Sequence, residues 1–410
     1  MNEQQKYHPK LRSAIDPTPI LHNNTPYILL RDPLNLTNKN CLLPYEYAPL
    51  LLLIDGTRTL NGILTILKVH FKISTTIEDL FQIIELFDEA FLLDNDRSQE
   101  KQNATLEAYK ARDYRKPLLA GNSYPEHPDS LRQALDEYLE KASPPSEKDT
   151  DNGSEIRGVI SPHIDFGRGE RIYAQTWSQA ELIAKQAEIL LIFGTDHFGE
   201  SDFLTLTTQN YATPYGVLPT NLSIVEKLTD VLGANRAFEK EIFHMGEHSI
   251  ELSLVWFHHM RTGAPCDVVP ILCGSIPDQK NYSSFYDKKS LEKVVMTLRN
   301  AIKGKRALIV ASADLSHVGP AFDGKPLDKI GKNNVKAADD LLMERICAAD
   351  AEGFLQANRQ IHDIYNVCGL SPIYMALRLL EPRPGELVAY KQCPADENET
   401  SIVSICGIFF

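Results

Sequence analysis

Long apolar runs are missing from this sequence. The strongest, Leu50 to Ile54, falls far short of the roughly 20 residues that span a bilayer, so a membrane-spanning helix is excluded as an expectation. Basic charge is also scarce. Lys and Arg number 42 against 55 Asp and Glu, a formal net charge of -13, and a chain without a basic face does not neutralise a phosphate backbone. No nucleic-acid partner is therefore expected. The opening stretch MNEQQKYHPKLRSAID carries no apolar segment of a secretory signal. Seven cysteines, an odd number without regular spacing, give no disulfide framework and suit reduced thiols in the cytoplasm. What is present is ample for folding: 410 residues, 43% of them apolar, predict one to three globular domains. Small molecules, peptides or proteins are the expected partners, with oligomeric state left open.

The most informative stretch is Ile156 to Gly169, IRGVISPHIDFGRG. Gly158, Val159 and Ile160 read as a buried strand that Pro162 ends, which leaves His163 at its mouth. The same grammar recurs where Ile189 to Phe193 runs into Gly194-Thr195-Asp196-His197, and where Ala307 to Ala311 runs into Ser312-Ala313-Asp314-Leu315-Ser316-His317. A fourth piece, Asn366-Val367-Cys368-Gly369-Leu370-Ser371-Pro372, opens a helix instead. Loops at the carboxyl ends of strands line the ligand crevice of open α/β sheets, so these side chains are expected to converge on a metal site.

Two imidazoles and one anion on one face leave open positions on an iron ion, and a thiolate in place of a carboxylate softens the site toward Cu(I), Zn(II) or thiolate-ligated Fe(II). Ser371-Pro372 reads as a cap and first-turn pair, and a thiol near that helix start is lowered in pKa by the dipole. The plainer readings are a hydrogen-bonding histidine at each strand end and a buried, apolar Cys368. Cys266, Cys273, Cys347 and Cys406 lie in apolar or helical settings and are read as core.

Upstream, Thr25 to Arg31 and Leu42-Leu43 read as short strands, and Tyr45 to Ile54 as a helix stopping at Asp55-Gly56. Thr59 caps a helix with Leu60, Ile63, Leu64 and Leu67 on one face. Thr76 caps another with Ile77, Leu80, Phe81, Ile84 and Phe87. Phe91 to Leu93 is expected as a closing strand, residues 96–114 as a linker helical only at its end, and Ser143 to Ser154 as an exposed loop. From residue 115 onward helices and strands alternate: a helix at Leu131 to Leu139, a helix around Ile172 to Ala187, and strands at Ile189, Phe203 to Leu206, Asp267 to Cys273, Ala307, Leu387 to Tyr390 and Ile402 to Phe410. Helices are expected at Leu222 to Leu232, Leu291 to Ile302 and Val335 to Ala348. That alternation predicts an α/β sheet with helices on both faces.

Residues 1–95, with the turn Asp55-Gly56-Thr57-Arg58-Thr59, resemble the small winged-helix α+β domain of PqqD-like proteins. The resemblance implies a peptide or protein partner, with simple docking or packing as the plainer role. Residues 115–410 resemble the Memo family, whose bacterial and archaeal members are called AmmeMemoRadiSam system protein B. The motifs that carry it are Ser161-Pro162-His163, Gly194-Thr195-Asp196-His197, Glu247-His248-Ser249-Ile250-Glu251, Asp314-Leu315-Ser316-His317 and Cys368-Gly369-Leu370-Ser371-Pro372, in that order.

The Memo resemblance implies a fold similar to LigB-type class III extradiol dioxygenases. It implies His163, His197 and Cys368 as metal ligands, with iron(II) the first expectation and copper or zinc as alternatives. It also implies the pairs Asp314 with His317 and Glu247 with His248 as catalytic candidates, His248 and His317 moving protons. Many relatives have Gly-Pro-Ser or Gly-Pro-Asn at Gly194-Thr195-Asp196, and the loop Ile164 to Arg168 is longer here, so Asp165 and Asp196 add carboxylates near the site.

Glu247, His248 and Glu251 also read as the exposed face of a helix beginning near Gly246, with Ile250, Leu254 and Phe257 inward and His258 and His259 on the surface near its end. The spacing is not H-E-x-x-H, so a zincin reading fails. Three functions follow: a non-haem metal-dependent oxidoreductase, a scaffold or accessory protein working with a radical-SAM partner, and metal-free thiol hydrolysis through Cys368.

Overall fold

The computed structural model describes residues 7–37, 39, 41–142, 156–198, 204–274 and 288–410, which form two compact units that part between Ala111 and Arg112. The expected loop at Ser143 to Ser154 and the start of the expected strand at Phe203 lie outside the described residues.

The amino-terminal unit begins with a hairpin, Asp16–His22 against Thr25–Arg31. Its two-residue turn is Asn23-Asn24, at φ 51° and 59°, the left-handed pair that a tight hairpin requires and asparagine tolerates. The first strand was not expected, because Pro17 and Pro19 interrupt its apolar pattern. They stand two apart on an edge strand, so both lack an N–H on the same side of the ladder, where an edge tolerates the loss. Cys41–Pro44 pairs on the other side of Thr25–Arg31.

A 3-10 turn, Tyr45–Tyr47, leads into helix Ala48–Leu53. Thr59 caps Leu60–Val69, and a capping box of Thr76 with Asp79 starts Ile77–Glu89. Leu60, Ile63, Leu67, Leu80, Ile84 and Phe87 close a core with Ile28, Leu30 and Leu43. Phe91 to Leu93 is not a strand: Phe91 turns to φ 58°, and Leu93 makes a single bridge to Leu11. Asp96–Lys110 is helical throughout, started by a capping box of Asn95 with Ser98 rather than by an apolar stripe.

The second unit is an α/β architecture around an eight-stranded mixed sheet. Its centre is four parallel strands in the spatial order Ile156–Ser161, Ala307–Ser312, Ile189–Thr195 and Asp267–Cys273. Leu204–Leu206 continues it antiparallel at one side. On the other, Ile402–Phe409 pairs antiparallel with Ile156–Ser161 and carries Glu386–Pro394 and His317–Val318.

Alternate strand residues (Ile189, Leu191, Phe193, Ile309, Ala311) share one cluster with helices Leu222–Leu232, Lys288–Ile302 and Leu370–Leu380. The intervening Leu190, Ile192, Leu308 and Val310 are as deeply buried and point to the opposite face, where Ser249–Met260 packs on the strands. Phe166–Gln179 packs in turn on Ser249–Met260 and on the Ile402–Phe409 strand. Among the described residues no helix is long and apolar enough to cross a membrane.

Register places the site. Ser312 aligns with Ser161 on one side and Gly194 on the other. His163, Asp314 and His197 thus leave three adjacent strands within two or three residues of one level. Two glycines let the remaining pieces close in. A Cβ on Gly194 would lie 2.5 Å from Ile250 Cγ1, and one on Gly369 would lie 2.4 Å from the Asp314 carbonyl oxygen. Helix Ser249–Met260 and the Cys368 loop can approach only because those methyls are absent.

Candidate metal centre

Three imidazoles meet above the parallel strands. One ring nitrogen from each of His163, His197 and His248 lies within 4.8 Å of the others, a grouping able to hold a metal ion. The rings of His197 and His248 stack at 4.8 Å, and His163 meets them edge-on at 4.9 and 5.6 Å. His163 is buried, while the side chains of His197 and His248 stay 30% and 38% exposed, which makes theirs the open side.

The neighbours settle which nitrogen each ring presents. His163 Nδ1 lies 2.9 Å from the Ser312 carbonyl, which can only accept, so Nδ1 carries the hydrogen. His197 Nδ1 and His248 Nδ1 lie 3.0 and 3.2 Å from Glu247 Oε1. Glu247 also accepts from the backbone N–H groups of His197 at 3.0 Å, His248 at 2.8 Å and Ser249 at 2.9 Å. Its carboxylate thus satisfies the first turn of Ser249–Met260 and turns two rings at once, the arrangement by which buried carboxylates orient ligating histidines. All three rings are left with Nε2 for a ligand.

Cys368 joins this group from the fourth loop. Its Sγ lies 3.3 Å from His163 Nε2 and 3.7 Å from the Asp314 carbonyl, and its own carbonyl accepts from Thr195 Oγ1 at 3.0 Å. Helix Leu370–Leu380 begins two residues earlier than the sequence suggests: Gly369 is its cap, without a side-chain bond, so Ser371 and Pro372 already lie inside the first turn. Asp314 accepts from the His163 N–H at 2.8 Å and brings its second oxygen within 3.8 Å of His163 Nε2. His317 stands at the rim, Nδ1 on the Leu315 carbonyl at 3.1 Å and its ring against Phe322.

The electrostatics follow from this packing. Burial works against a charged His163, but Asp314 and the Cys368 sulfur outweigh it and raise its pKa to about 9. Burial likewise opposes charge on His197, and Glu247 followed by Cys368 lifts it well above the ordinary imidazole range. Burial pushes the carboxyl of Glu247 up, yet His197 and His248 hold it well below the usual range. Burial would keep Cys368 a thiol, but His163 and His317 bring it far below the usual thiol range. Without metal, the packing favours a thiolate at Cys368 and a carboxylate at Glu247 beside the protonated rings of His163 and His197.

Several expectations need correction. Glu251, His258 and His259 are buried, not exposed. Helix Ser249–Met260 is covered on every side, so its polar residues have protein partners. Glu251 meets Arg115 at 2.6 Å, His258 meets Thr213, and His259 lies between Tyr215 and Asp136. Asp165 caps helix Phe166–Gln179 and pairs with Arg168. Other expectations stand: Cys266, Cys273 and Cys406 are buried, as core cysteines should be, with burial raising each thiol. Cys347 is half-buried and raised for the same reason. Ser312 and Arg115 were not anticipated as part of the centre; the strand-end Ser161 and Ser312, alike in position, were the available signal for the first.

Comparison with known proteins matches residues 115–409 to the family model described as Memo-like protein. A MEMO1 family protein of Aquifex aeolicus is 26% identical over 299 residues, 72% of this chain and 72% of its own. One from Thermus thermophilus is 28% identical over 320 residues, covering 77% and 87%. One from Archaeoglobus fulgidus is 23% identical over 301 residues, covering 72% and 99%. All the site residues above fall within the matched region, and residues 1–111 of the amino-terminal unit fall before it.

Proposed function

This chain belongs to the family of Memo-like proteins, and on that premise we propose that it is a LigB-like, metal-dependent oxidoreductase of the cytoplasm whose ion is held by His163, His197 and Cys368. The observation that carries the reading is the 3.3 Å approach of Cys368 Sγ to His163 Nε2. Sulfur at about 2.3 Å and nitrogen at about 2.0 Å from one tetrahedral ion stand roughly 3.5 Å apart, so the pair is already spaced to share a cation. Neutral imidazole nitrogens with one thiolate suit iron(II), with copper or zinc as alternatives. An iron(II) ion held by these residues would offer open positions for a small-molecule or peptide substrate and dioxygen.

The chain supplies the rest. Glu247 fixes His248 by Nδ1 and leaves Nε2 on the open side to take a proton from a substrate hydroxyl and return it. His317, anchored by Nδ1 at the rim, has a second nitrogen for the same task. Asp314, bonded to the His163 amide, keeps that ring against the sulfur. A second reading, favoured by the mutual proximity of the three rings, has His248 replace Cys368 as ligand.

Cobalt(II) titration separates the two: thiolate ligation gives an intense near-ultraviolet charge-transfer band that Cys368→Ser abolishes, and three-histidine ligation gives none. A His163→Ala variant that binds metal like the parent would end both. Oxygen uptake by the iron-loaded protein tests turnover. Its absence with every small-molecule or peptide substrate tried, together with co-purification of a radical-SAM protein, would favour the scaffold role. In that role the amino-terminal unit serves as a PqqD-like, winged-helix peptide holder.

A further inference from the structure

Resting on the metal reading above, we propose that Arg115 is a positioning residue of the centre: it pins the main chain at Glu247 so that one carboxylate can aim two histidine rings. Glu247 sits in a joint. The short helix Phe243–Gly246 ends just before it, at a Glu247 ψ of 132°, and Ser249–Met260 begins two residues later. Carbonyls at the end of a helix have no partner inside it, so the course of this joint is set from outside. Arg115 does that with three nitrogens. Nε donates to the His244 carbonyl at 2.6 Å, Nη2 to the Glu247 carbonyl at 2.6 Å, and Nη1 to Glu251 Oε2 at 2.6 Å and the Lys116 carbonyl at 3.1 Å.

The clamp is itself anchored. Glu251, in the first turn of the following helix, accepts from the N–H groups of Leu118 at 2.7 Å and Leu119 at 2.8 Å and from the Tyr124 hydroxyl. Arg115 and Glu251 are each 1% exposed. Under the guanidinium lies the ring of Tyr211, 5.0 Å away, whose hydroxyl meets His244 Nδ1 at 2.6 Å. Strand Tyr114–Arg115 thus reaches the metal centre through the far side of Glu247. A planar fork can hold two carbonyls and a carboxylate together, whereas an ammonium on a flexible stem cannot keep that geometry.

Arg115→Lys separates charge from geometry, because it keeps a cation against Glu251 and loses the two-carbonyl clamp. Cobalt(II) affinity is expected to fall about 10- to 100-fold, the range for loss of a group that orients ligands. Amide exchange in the metal-free protein is expected to quicken at His197, His248 and Ser249, the three N–H donors to Glu247, and to stay unchanged in strand Ala307–Ser312. Glu251→Gln, which weakens the anchor without removing the arginine, is expected to shift both readouts the same way by less, and serves if the lysine variant does not fold. Unchanged exchange at those three amides, or equal acceleration through the sheet, would overturn the proposal. A parent protein that binds no cobalt would instead remove the metal reading, while the exchange measurement still decides what Arg115 does.

Discussion

Metal binding at this centre is expected to displace about two protons near neutral pH, and the structure says which two. His163, raised to about 9, is almost fully protonated at pH 7. Removing that proton costs two pKa units, about 2.7 kcal/mol or roughly 100-fold in apparent affinity. His197 is raised by Glu247 and Cys368 and must give up a second. Cys368 contributes none, because the sulfur is already a thiolate in the metal-free site. Apparent affinity should therefore rise about 100-fold for each pH unit between about 6 and 8 and less steeply, by about 10-fold for each unit His197 stays protonated, as pH passes the His163 value near 9.

The assay is cobalt(II) titration at several pH values, with calorimetry in two buffers of different ionisation enthalpy to count protons directly. A release of one proton or fewer would refute the reasoning, since it would mean that at least one of His163 and His197 is not held charged by its neighbours. Cys368→Ser gives an internal control. Serine stays neutral, part of what raises His163 is gone, and the change to the shallower slope should move below about 9. If the pH dependence of that variant matches the parent, the sulfur is not an electrostatic partner of the ring.

Stability of the metal-free protein carries the same protons with a definite sign. The folded pKa values of His163 and His197 exceed the unfolded one, so their contribution is complete below about pH 6.5 and is lost as pH rises through the folded values. The Cys368 thiol, which holds its proton only when unfolded in this range, offsets one of the two. Urea midpoints of metal-free protein should accordingly fall from about pH 7 to 9, and a rising trend would contradict the charge assignment. Glu247→Gln should weaken cobalt binding about 10- to 100-fold, because an amide keeps one acceptor oxygen and sets an NH2 donor where the other oxygen accepts from a backbone N–H; parent-like affinity would show that Glu247 does not orient the rings. Gly194→Ala puts a methyl 2.5 Å from Ile250 Cγ1 and 2.6 Å from Ser249 Oγ. It should destabilise by about 1–3 kcal/mol with a parallel loss of metal affinity, and an unchanged urea midpoint would refute the close-approach argument.

How much of this centre could be read in advance depended on whether a residue's position follows from its own neighbours in the chain. Strands buried on both faces appear as continuous apolar runs, so Ile189 to Phe193 and Ala307 to Ala311 announce themselves, and the polar residue just beyond each run must stand at the carboxyl edge. That local logic reaches His163, His197 and Asp314. It does not reach sheet order: nothing in the apolar pattern says that Ala307–Ser312 enters between Ile156–Ser161 and Ile189–Thr195, yet this insertion brings Ser312 under His163. It also misleads on helix Ser249–Met260, whose polar residues read as a solvent-facing side but are buried. A helix covered on all sides must give each polar residue a protein partner, and such partners come from distant chain, as with Arg115 for Glu251.

The pairing of His197 with His248 has the same character. The two lie far apart in sequence, and the feature that unites them is a third residue, Glu247, whose carboxylate accepts from both rings. Adjacency of Glu247 to His248 suggested only an acid and a base side by side. What the fold adds is that the same oxygen caps a helix start and turns a ring from another strand. Any change to the backbone at this joint therefore moves two rings together, and the centre should lose its donors in a concerted step rather than one at a time.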